Sequence, residues 1–187
     1  MRWQVKIMRG LISLLMGAHS MMLSSHVIFQ KISAELSQEI VKFIRGEEKE
    51  AYKSILAGLA ESRKVRVVFV QKRPLDKQIA WLVQSLKLKT GELVADQILQ
   101  IWLLKAKTDM LTSFLDKLEI EHDGEGSVEG DLPDQLDADK LKEAVEEMIE
   151  KHSEEEVKIY LTLFQAQRPD GWTELQSLID ADERLSF

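Results

Sequence analysis

Two stretches concentrate the residues that could do chemistry in this 187-residue chain, and they carry opposite signs. Residues 62–77 hold six cations, Arg63, Lys64, Arg66, Lys72, Arg73 and Lys77, against one acid, Asp76. Residues 119–156 hold 16 Asp and Glu against three Lys. A run of cations can neutralise phosphates and displace their counterions, steer an acidic partner, lie on a membrane surface, or pack internally against the acidic half. Phe69 is the only aromatic within the basic run, and no helix-turn-helix, zinc or RNA-binding motif accompanies it. The internal complement is therefore the first expectation. An anionic partner protein or membrane follows, and a nucleic-acid-associated regulator is the alternative.

The acidic stretch does not form a calcium loop. Asp123-Gly124-Glu125 lacks the alternating oxygen ligands and the distant bidentate Glu that such a loop needs. It reads as a solvated linker over residues 123–137, followed by the outer face of a charged helix. The histidines, His19, His26, His122 and His152, form no i, i+4 pair and no H-E-x-x-H. His122, between Glu121 and Asp123, is the one that could act as an acid–base or metal residue, given partners from a distant helix.

With no cysteine, the chain has no disulfide, thiolate ligand or thiol nucleophile. Signatures of α/β-hydrolases, P-loops and dinucleotide folds are missing too. The sequence thus nominates no catalytic residue, no cofactor and no metal. Trp81 and Trp102 sit on strongly apolar segments and read as core. Trp172, beside Pro169-Asp170-Gly171, either closes a helix corner against the core or joins Gln165, Gln167 and Arg168 on a binding surface. The candidate partner-binding residues are accordingly Arg63, Lys64, Arg66, Lys72, Arg73, Arg168 and Trp172.

The elements that must position these residues are helical. Nine glycines and three prolines in a chain that is 44% hydrophobic argue against a loop-rich β-sandwich. Ile28, Ile32, Leu36, Ile40 and Ile44 recur every four residues and predict one helix from Ser25 to about Arg45, stopped by Gly46. A second stripe over 47–62 uses Ile55, Leu56 and Leu59, and the short turn between the two implies an antiparallel pair. Residues 65–70 (VRVVFV) break the period and predict an extended connector or short strand. Pro74 then opens a helix to about Leu86.

Thr90 is the expected cap of the longest apolar segment, 92–118, with a bend or restart near 105–109. Alternation over 118–122 and the glycines at 124 and 126 suggest a small β-hairpin within 118–130. Asp137 caps the next helix, Ser153-x-x-Glu156 is a capping box, and Thr173-x-x-Gln176 reads as a second one. The predicted fold is all-α: one domain, 24–187, forming a bundle or irregular array of about six to seven helices.

The first 23 residues read as an extension. Arg2, Lys6 and Arg9 precede an apolar run, 11–18, and Ala18-His19-Ser20 has the outline of a cleavage site. Alternatively the start lies at Met21 or Met22, or the segment is an amphipathic helix carrying Trp3, Ile7 and Leu11 toward a core or a membrane surface. The eight-residue run is too short to span a bilayer, which takes about 20 residues. A cytoplasmic protein is expected, or an exported one if the segment is a signal. Across the chain, residues 1–90 carry 16 Lys and Arg against 7 acids, and residues 91–187 carry 9 against 25. Without a catalytic signature, the functional expectation is a non-enzymatic helical interaction or scaffold protein. An enzyme built around His122 is the third choice.

Overall fold

The structure, a computed structural model, describes residues 23–187, and over them the chain is all-α. The readings of the N-terminal segment lie outside the described residues, save Leu23, which packs at the edge of the core. Ten α-helices are present among the described residues, more than the six to seven expected, because two long periodic stretches break and one short helix, at residues 67–71, adds to them. They are α1 Ser25–Lys31, α2 Ala34–Glu47, α3 Lys49–Ser62, α4 Val67–Gln71, α5 Leu75–Leu86, α6 Glu92–Ala106, α7 Thr108–Lys117, α8 Ala138–Lys151, α9 Glu154–Gln165 and α10 Thr173–Ala181, with a 3-10 turn at Lys89–Gly91.

The stripe from Ile28 to Ile44 is buried as its spacing demands, yet the helix that carries it is broken. Ile32 is extended, and Ser33 becomes the N-cap of α2, its hydroxyl accepting from the Leu36 N–H at 3.2 Å. The break is fastened from far away. The Glu155 carboxylate of α9 accepts the Ser33 N–H at 2.6 Å and the Ser33 hydroxyl at 2.7 Å. Glu92 of α6 does the same for α1, accepting the Ser25 and His26 N–H groups at 2.9 and 2.8 Å and meeting His26 Nδ1 at 2.5 Å. Carboxylates suit these positions because orphan N–H groups and the positive end of the helix dipole converge there.

Residues 65–70 form neither connector nor strand. A strand needs a neighbour for its backbone groups, and among the described residues none pairs with this run. The N–H groups of Phe69, Lys72 and Arg73 bond instead to Arg66 O, Val68 O and Val70 O, which makes the single-turn helix α4. The expected hairpin contracts to one antiparallel bridge, His122 to Val128. Thr90 lies in the 3-10 turn, so Gly91 rather than Thr90 precedes α6. Gly46 does not stop α2, which runs on to Glu47. At α10 the cap residue is Trp172 and Gln176 bonds to Asp180, so the second capping box does not form. Asp137 and the Ser153–Glu156 box cap α8 and α9 as read.

One apolar core runs from Ile28 to Leu185. Its first half is organised around α6, which touches α1, α2, α3, α5 and α7. Its apolar residues cover most of its circumference, and a helix of that kind is stable only when surrounded. The second half gathers on α8, against which α7, α9 and α10 pack. Phe114, Tyr160, Phe164 and Trp172 fill it, Phe114 meeting Phe164 edge-on at 5.1 Å and Phe164 stacking on Trp172 at 4.7 Å. The halves are tied by Glu155 on Ser33 and by a mostly buried ion pair, Lys107 to Glu156 at 2.5 Å.

Candidate docking surface

The basic segment begins where α3 ends, and the ending is unusual. The Val65 N–H reaches Ala60 O at 2.8 Å and the Lys64 N–H reaches Glu61 O at 2.9 Å, the paired bonds of a Schellman motif. Its pivot is Lys64, with φ of 53°, in the left-handed region that glycine normally fills. From there Arg66 enters α4, whose Val70 is fully buried while Val68 and Phe69 face solvent. The Gln78 amide donates to Gln71 O and Arg73 O at 3.1 and 2.7 Å, pinning the loop into α5. Arg63 donates to Ser85 Oγ at 3.3 Å, which joins the start of the basic segment to the far end of α5.

The structure brings Arg63, Lys64, Arg66, Lys72, Arg73 and Lys77 together as exposed side chains on this α3–α4–α5 edge. It does not bring them to the acidic half, which corrects the first expectation. Among the described residues the only ion pair the segment makes is Lys77 with its neighbour Asp76, at 3.8 Å and in solvent. Among the described residues, seven of the 16 acids of 119–156 pair with other cations. Lys117 faces Glu143 and Glu147 at 3.5 and 3.8 Å, Lys140 faces Glu119 at 2.7 Å, Lys105 faces Glu125 at 3.7 Å and Arg184 faces Glu146 at 2.9 Å. The reason is positional: α4 packs on α3 and α5, whereas the acids ride on α8, the loop before it and the first turn of α9.

Apolar side chains share the basic stretch. Among the described residues, the large exposed hydrophobic residues are Val68, Phe69, Leu75, Leu88 and Leu93, all within residues 68–93. Phe69 is 57% exposed and Leu93 86%. Sequence reasoning noted Phe69 alone. The only available signal for Leu75, Leu88 and Leu93 was that none belongs to the inward stripe of its helix.

Trp172 and Arg168 belong elsewhere. Trp172 is 1% exposed, so it closes a helix corner and offers no binding surface. Its Nε1–H donates to Pro133 O at 2.9 Å, and its backbone pairs both ways with the Gln165 amide at 3.0 Å. Gly171, with φ of +63°, lies so close to that amide that a Cβ would collide with it. Arg168 covers the indole and donates to the same Pro133 O at 2.6 Å. The two residues therefore fasten the chain at Pro133 and Asp134 within the irregular acidic segment 123–137.

His122 does acquire a titratable neighbour: its Nε2 lies 3.0 Å from Asp116 Oδ1. The Gly124 N–H donates to Nδ1 at 3.1 Å, which fixes the proton on Nε2. Both ring nitrogens are thus hydrogen-bonded, and His122 and Asp116 line an open cavity together with Glu119, Glu121 and Glu129. Among the described residues no three His, Asp or Glu side chains converge as a metal site. The remaining perturbed groups are built into the scaffold. Burial lifts the Asp96 carboxyl above its usual range even though Ser25 and Gln100 donate to it, and burial holds His152 below the usual imidazole range. No helix among the described residues is long and apolar enough to cross a membrane. No family model, curated protein or solved structure matches the chain.

Proposed function

We propose that this chain is a non-catalytic helical interaction protein that docks an anionic partner on the edge formed by α3, α4 and α5. The observation that carries the reading is the contrast between the two charged stretches. Seven of the 16 acids of 119–156 pair with a nearby cation, whereas among the described residues Arg63, Lys64, Arg66, Lys72 and Arg73 are all exposed and none makes an ion pair. Unpaired like charges at close quarters repel one another and weaken the fold slightly, and an anionic partner relieves that repulsion. Lys64 adds to the case. A lysine held at a glycine position costs stability, which a role for its side chain in docking offsets.

Three anionic probes test the reading: polyglutamate, duplex DNA and vesicles containing phosphatidylglycerol. The folded chain should bind at least one of them in about 0.1 M salt and release it toward about 1 M, where the screening length falls from about 10 Å to about 3 Å. The variant with Arg63→Gln, Lys64→Gln, Arg66→Gln, Lys72→Gln and Arg73→Gln should keep its helical circular dichroism and lose about 10- to 1000-fold in affinity. Failure of the parent to bind any probe, or equal binding by the variant, overturns the proposal.

A further inference from the structure

We infer that the anionic partner is a lipid bilayer surface, on which residues 63–93 seat with Phe69 entering the boundary between headgroups and acyl chains. The inference rests on the docking reading above and gives its partner a chemistry. Its first support is composition by position. Among the described residues, all five of the large exposed apolar side chains fall between residues 68 and 93. Residues 63–93 also contain eight Lys and Arg against two acids, Asp76 and Glu92, and Glu92 is engaged with the N–H groups of α1. Cations flanking exposed apolar residues are the arrangement that holds a peripheral protein on anionic lipid.

The kind of apolar residue narrows the partner. Val68, Leu75, Leu88 and Leu93 have no π face on which a base could stack, so only Phe69 would serve a nucleic acid. Hydrocarbon accepts all five. Shape narrows it further. The five side chains protrude from α4, the first turn of α5, the 3-10 approach and the first turn of α6. A protein partner would need a separate hollow for each, whereas lipid conforms to any convex surface. The part of this surface around Phe69 is held in place, since Val70 is buried beneath α4 and Gln78 pins the following loop, so seating costs little ordering entropy there.

The chain ahead of the fold points the same way. Ser25 and His26 are fastened to Glu92, so Ser24 enters the fold near Leu93, the most exposed leucine among the described residues. That preceding stretch, residues 1–22, contains Arg2, Lys6, Arg9 and the apolar run 11–18. In composition, cations beside an apolar run, that stretch matches residues 63–93.

Co-sedimentation of the full chain with vesicles decides the matter, using phosphatidylcholine alone and phosphatidylcholine mixed with phosphatidylglycerol. Binding should require the anionic lipid. It should fall about fivefold for each of Arg66→Gln, Lys72→Gln and Arg73→Gln, and about tenfold for Phe69→Ser. A Phe69→Trp variant should shift its added emission to the blue on anionic vesicles, as a ring leaving water does. Retention on polyglutamate or DNA without retention on vesicles overturns the bilayer while leaving the docking reading intact. Vesicle binding untouched by Phe69→Ser and by the three Gln substitutions places the contact elsewhere in the chain and overturns the inference. Binding to none of the probes removes both.

Discussion

Lys64 and Glu119 are the two non-glycine residues with positive φ among those described, and they occupy equivalent places. Each lies two residues beyond the end of its helix, α3 or α7, with Val65 and Ile120 completing the same pair of backbone bonds. Left-handed backbone costs an L-residue roughly 1–2 kcal/mol, so glycine at either position should raise stability. Their side chains differ in occupation. Glu119 pairs with Lys140, while Lys64 makes no ion pair among the described residues. Lys64→Gly should therefore raise the unfolding free energy by about 1 kcal/mol and at the same time weaken binding to the anionic probe. Urea denaturation and binding on the same preparation measure both. A stabilised variant that binds as well as the parent shows the lysine to be a packing compromise with no part in docking.

Element boundaries separate what local pattern can show from what it cannot. The stripes of α2, α3, α5 and α7 were legible because burial on one side forces a spacing of three and four, and those residues are buried as spaced. The caps at Asp137 and Ser153 were legible because donor and acceptor lie within four residues. The break at Ser33 was not, since the carboxylate that holds it comes from Glu155, 122 positions later. Nor was α4: β-branched residues at 65–70 favour a strand only where a second strand exists to receive them, and the fold supplies none. If Glu155 is what makes the break, Glu155→Ala should cost about 2 kcal/mol and speed hydrogen exchange at the first turn of α2. Glu155→Gln, which keeps one acceptor, should cost less. Unchanged exchange in the alanine variant would leave Ser33 alone as the cap.

For the molecule as a whole, the cations of the candidate surface were countable in the sequence, but their partners were not. A charge run says nothing about which helices will lie against it, and here the acids found cations at Lys105, Lys117, Lys140 and Arg184 instead. Trp172 shows the same limit from the other side. Its turn was visible, but its burial depends on Pro133 and Phe164, which reach it from elsewhere in the chain. The two halves share one continuous core, which predicts one cooperative unfolding step. Trp102 reports the half around α6 and Trp172 the half around α8, so fluorescence and far-ultraviolet circular dichroism should give coincident urea transitions. Two separated transitions would mean that the contacts between the halves are too weak to couple them.

The long span between Ser33 and Glu155 also bears on how the protein is made. At ~5–20 residues per second, the ribosome takes roughly 6–24 s to travel those 122 positions. Throughout that interval the corner between α1 and α2 exists without the carboxylate that closes it. Glu92 arrives much earlier and can fasten α1 first, so the nascent chain meets its partners in a fixed order, α6 before α9. A release factor or ribosome stall that truncates synthesis before residue 155 therefore yields a chain whose first half is complete in sequence but open at its second helix, a form that quality-control proteases should recognise at that end.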